Sequence, residues 1–72
     1  MIGKMAVAGK GEPIEAAIAE ACALYLAHFG AAANLVKINP DNPASVDAPE
    51  GVRLERSRNI LPGAAWAGRD EA

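Results

Sequence analysis

Bulky apolar side chains are spaced so that this chain divides into short strands and one long helix. Met5 and Val7 share one side of residues 4–8, the alternation of a strand. Gly9, Lys10 and Gly11 then make a flexible joint. Residues 13–29 read P-I-E-A-A-I-A-E-A-C-A-L-Y-L-A-H-F, with no Lys or Arg and two carboxylates. Alanine has the highest helix propensity, so this segment is expected to be a helix. Its ends carry matching signals. Pro13 stands at the first turn, where a missing N–H costs nothing. Glu12 and Glu15 lie at the positive end of the helix dipole, and Gly30 is a left-handed stop.

At about 100° per residue, Ile14, Ile18, Cys22, Tyr25 and Phe29 fall in one arc, flanked by Leu24 and Leu26. This arc is the expected face for the sheet. The opposite side holds Ala16, Ala23 and Ala27, with Ala19 and Glu20 nearby. A wet helix face normally carries Lys, Arg and Glu; here it is mostly methyl groups. Two readings stand. The alanines serve helix propensity on an exposed face, or they let a second helix approach closely in a dimer.

Residues 34–39 read as a strand with Val36 and Ile38 on one side and Leu35 and Lys37 on the other, ended by Pro40. Residues 40–51 hold three prolines, a glycine and three acids, and read as a long loop. Val52 and Leu54 then alternate inward, but Arg56 and Arg58 continue that parity, so a bulge or an end near Glu55 is expected. Leu61-Pro62-Gly63-Ala64 matches a type II turn. Residues 65–67 form a last short strand, and residues 68–72 read as a frayed tail.

The expected fold is α+β: one domain over residues 1–72, with one alanine-rich helix packed on a small, mainly antiparallel sheet of three or four short strands. Seventeen of the apolar residues are alanine, which leaves few large side chains for a core. A chain of this size buries only ~60% of the surface that its unfolded form exposes. Cys22 is the only cysteine, so no internal disulfide supports the fold, and no His/Cys cluster offers a structural metal. Burial against a second copy would add stability. A homo-oligomer, with a dimer favoured, is therefore the expected partner arrangement, with Ala16, Ala19, Ala23, Ala27 and Trp66 as interface residues.

The net charge of −2 gives no general attraction to nucleic acid or to a membrane surface. No apolar run is long enough to span a bilayer, and the start lacks the core of a signal peptide. One unpaired cysteine fits the cytoplasm. The small, alanine-rich composition also fits a phage or other mobile element.

Few residues suggest chemistry. Lys4-Met5-Ala6-Val7-Ala8-Gly9-Lys10-Gly11 resembles the opening of the deviant Walker-A loop of MinD-like and nitrogenase-iron-protein-like ATPases, where glycine amides converge on phosphates. The second Gly-Lys-Ser/Thr of that loop is absent, and Glu12-Pro13-Ile14 stands in its place, so no nucleotide cofactor is expected. His28 sits in the last turn of the helix, where the dipole favours it, and Cys22 lies some 120° away around the axis. Asp41, Asp47 and Glu50 lack the spacing of a calcium loop. No cofactor, no metal and no catalytic set is expected. Arg53, Arg56 and Arg58 form a basic cluster that pairs naturally with phosphates or carboxylates. The expected function is a protein-interaction module acting through self-association and partner binding. The alternative is a nucleic-acid-associated protein using those three arginines.

Overall fold

The structure is a computed structural model that describes residues 3–41, 46 and 48–69. The elements run β1 (Gly3–Val7), α1 (Ile14–Phe29), β2 (Leu35–Ile38), β3 (Arg53–Arg56) and β4 (Ala64–Gly68). The strands form one sheet in the order β1-β4-β2-β3. β4 is antiparallel to both β1 and β2, while β2 and β3 are parallel. The fold is α+β, one helix on a four-stranded mixed sheet in which two of the three ladders are antiparallel. β1, α1 and β2 make a split β-α-β unit, with β4 inserted between the two parallel strands.

Both ends of α1 follow from the sequence. Pro13 caps the N-terminus in an extended conformation with no side-chain cap. Gly30 closes the other end in the left-handed region, its N–H donating to Leu26 O. The turn into β4 also has the expected form: Gly63 has φ 82° and Ala64 N–H donates to Leu61 O at 3.0 Å.

α1 packs on β1 and β4. The side chains those strands turn toward it include Ala6, Ala65 and Ala67, which share a core cluster with Ile14, Ala17, Ile18, Ala21 and Tyr25 of the helix. Small residues on both sides let helix and sheet approach closely. The expected sheet-facing arc is therefore corrected by about 40° around the helix axis. Ala17 and Ala21 are fully buried within it, Cys22 is half-buried, and Phe29, Leu24 and Leu26 are exposed. Bulk alone misplaces the arc, because alanines fill the closest contact.

The β2–β3 half of the same sheet face is covered by the loop between those strands. Val46 and Val52 pack against the core there, together with Leu54. Residues 42–45 and Asp47 of the expected loop lie outside the described residues. β3 ends at Arg56, one residue past the expected end near Glu55. Arg56 lies on the helix side yet is exposed, because α1 sits over the other half of the sheet. The expected tail also shortens. Gly68 belongs to β4, and the Arg69 guanidinium donates to Ala32 O at 2.7 Å. Residues 70–72 of that expectation lie outside the described residues.

Candidate functional site

α1 leaves the other face of the sheet uncovered. The strand register sets Met5 opposite Trp66, Trp66 opposite Lys37, and Lys37 opposite Glu55. These four side chains form one row across all four strands on the side away from α1. The neighbouring row is Gly3, Gly68, Leu35 and Arg53.

Trp66 is the centre of this open face. A Cβ at Gly3 would overlap the indole at Cε2 and Cζ2, and one at Gly68 would overlap it at Cη2. The ring therefore lies flat on a bed made by two paired glycines. Glycine inside a strand marks such a close approach. The Lys37 ammonium sits 5.3 Å from the ring centroid, a cation–π contact. Beyond it, Arg53 Nη2 pairs with Glu55 Oε2 at 2.8 Å. Both partners are largely solvated, so this pair contributes ~0–1 kcal/mol. Met5 and Val7 remain exposed at the β1 end of the face.

The connection from β3 to β4 closes one end of the open face. Ile60 is buried there, and Asn39 Nδ2 donates to Ile60 O at 2.7 Å. Asn39 Oδ1 accepts from Asp41 N–H at 2.8 Å, so both ends of this buried amide are used. Sequence reading placed Asn39 only at a strand end; its proximity to Pro40 gave no sign of a buried bridge.

A second surface lies on the helix side. A groove of about 260 Å³ runs between α1 and the β2–β3 loop, lined by residues that include Cys22, Ala23, Leu26, Pro49, Glu50 and Val52. Burial pushes the Cys22 thiol pKa up, which favours the unreactive thiol form. Ala19, Ala23 and Ala27 are exposed on the outer side of α1 and Ala16 is half-buried.

The residues singled out from sequence thus divide between separate places. The alanines lie on the outer side of the helix, whereas Trp66 lies on the opposite face of the sheet. The two groups cannot belong to one contiguous patch. The arginines divide as well. Arg53 projects from the open face, Arg56 from the helix side of the same strand, and Arg58 from the following turn. Strand alternation separates residues that sequence proximity had grouped.

The glycine loop before α1 is occupied by its own chain. Gly9 N–H donates to Glu12 Oε1 at 2.7 Å, and Glu12 N–H donates to Gly9 O at 2.9 Å. The carboxylate takes the amide that a phosphate-binding loop would present. His28 is exposed at the end of α1, with its ring edge-on to Phe29 at 4.6 Å between centroids. Among the described residues, no three His, Cys, Asp or Glu side chains converge as metal ligands. No helix among them is long and apolar enough to cross a membrane. No protein-family model matches the chain, and no curated protein or solved structure matches it either.

Proposed function

We propose that the chain is a small protein-interaction module that self-associates and binds partners in the cytoplasm through its apolar outer surfaces. One observation carries this reading. Met5, Val7, Leu24, Leu26, Phe29 and Leu61 are exposed, whereas Ile14, Ile18, Tyr25, Leu35, Val36, Ile38 and Ile60 are buried. Among the described residues, almost as many bulky apolar side chains are exposed as are buried.

Single exposed apolar residues are ordinary. Here Met5 and Val7 adjoin Trp66 on the open sheet face, while on the C-terminal half of α1 Leu24 and Leu26 lie on opposite flanks of the helix, with Leu26 lining the groove. Each such side chain removed from water contributes ~1.5–3 kcal/mol.

Light scattering across a range of concentrations tests the self-association. The expected result is a molar mass that rises from 7.4 kDa toward twice that value. A mass fixed at one chain up to millimolar concentration would overturn the reading.

A further inference from the structure

We propose that β1 is the edge through which two copies associate, pairing antiparallel about Met5 and joining their sheets into one, with the two α1 helices side by side above the seam. This assignment deepens the self-association proposed above and rests on it. The occupant of the edge is a second copy of this chain.

The sheet has two outer strands, and they differ. β3 reads R-L-E-R, with charge on both faces, a composition that blunts an edge against further pairing. β1 reads G-K-M-A-V, with one charge and two exposed apolar side chains. No described residue pairs with the outer side of β1.

The hydrogen-bond phase says which groups are on offer. Ala8 N–H donates to Gly63 O at 2.8 Å, on the strand pairing that continues the β1–β4 ladder. In an antiparallel ladder the bonded residues alternate. Ala8, Ala6 and Lys4 therefore turn their backbone groups toward β4, while Gly3, Met5 and Val7 turn theirs outward.

Those outward groups set the register. With Met5 opposite Met5 of the second copy, Gly3 falls opposite Val7, and every outward donor of the strand meets an acceptor. Sliding the axis to Lys4 would set two ammonium groups directly opposite one another, which is destabilising. Sliding it to Ala6 would leave Gly3 without a partner in the seam.

The helix position makes the pairing fit in the second layer. α1 lies over β1 and β4. Strands sit ~4.8 Å apart, so a twofold axis outside β1 places the two helix axes roughly 10 Å apart. Packed helices prefer 8–10 Å. The flank of α1 facing the seam is the one opposite the groove, and by helical periodicity it carries Glu20 and the exposed Leu24. Leu24 thereby gains a cover that the single chain lacks. Lys4 lies on the helix side of β1, so each Lys4 meets the flank bearing Glu20 of the other copy. A stable interface buries on the order of 800 Å² per partner. That is less than a fifth of the 4549 Å² that one chain exposes, and a seam of that size needs the α1 flank as well as the strand.

Cross-linking distinguishes the register. In a Cys22→Ala background, Met5→Cys and Lys4→Cys are oxidised mildly and resolved without reductant. Residues directly opposite in a bonded pair lie ~5.5 Å apart at Cα, within reach of a disulfide. The two Lys4 positions are offset by two residues and lie roughly 8 Å apart, beyond it. The expected result is a covalent dimer for Met5→Cys forming at least tenfold faster than for Lys4→Cys.

A second variant, Val7→Pro, removes an outward donor and leaves the β4 ladder intact. It should be monomeric with an unchanged far-ultraviolet circular dichroism spectrum. If the parent protein is dimeric but Lys4→Cys links as fast as Met5→Cys, or folded Val7→Pro remains dimeric, the edge assignment is overturned while self-association stands. If the parent protein is monomeric at every concentration, both fall together.

Discussion

The two faces of the sheet solve the same problem by opposite means. On the helix-covered face, Ala6, Ala65 and Ala67 are small so that α1 can come close, and the bulk is supplied by Ile14, Ile18 and Tyr25 from above. On the open face, no helix arrives from above, and the β3–β4 connection closes only one end. One indole folds down onto Gly3 and Gly68 instead, and Lys37 lies over it. The first face is a two-layer core and the second is a single side chain lying on a backbone floor. A tightly packed layer resists any change of volume. A lone ring depends on the few groups that hold it in place.

Truncation in the covered face should cost most. Ile18 is 1% exposed and sits at the helix–sheet contact. Ile18→Ala should lower stability by ~2–5 kcal/mol in urea denaturation. A loss below ~1 kcal/mol would mean that the covered face is not the main source of stability.

The glycine floor should come next. Gly68→Ala places a methyl in the space of the indole and should cost ~1–3 kcal/mol. In a Trp66→Ala background the same change should cost almost nothing, because the two residues share one contact. Equal costs in both backgrounds would show that the ring does not rest on the glycines.

The smallest effect belongs to the cation above the ring. Lys37→Met keeps the length of the side chain and removes the charge. It should cost no more than ~1 kcal/mol and shift the Trp66 fluorescence. A larger loss, or an unmoved emission spectrum, would contradict the stacked geometry.

Much of the architecture is legible along the chain. Helix composition and its closing signals place α1 between Pro13 and Gly30, and the turn at Gly63 follows from Pro62-Gly63. Val36 and Ile38 share the covered side, as their alternation implies. What was not legible is instructive. The arc of α1 was centred on its largest residues, yet Ala17 and Ala21 are fully buried. The sheet beneath them is built of alanine, and the sequence of the helix alone carries no trace of that. Trp66 reads from the sequence as an interface residue, and its resting place on two glycines is not legible there. Its contact with Gly3 joins residues at opposite ends of the chain, brought together by the insertion of β4 beside β1. The candidate surface was half legible: the exposed alanines of α1 were singled out, whereas Met5, Val7 and Leu24 became significant only when shown uncovered.

Local signals alone determined the two ends of the helix and the approximate place of each strand, because capping, turn chemistry and alternation act over a few neighbouring residues. Tertiary structure decided the strand order, which side of the helix is dry, and which two edges the sheet presents. Those outcomes depend on contacts between distant segments, whose fit is a matter of shape at close range and leaves no periodic mark in either segment.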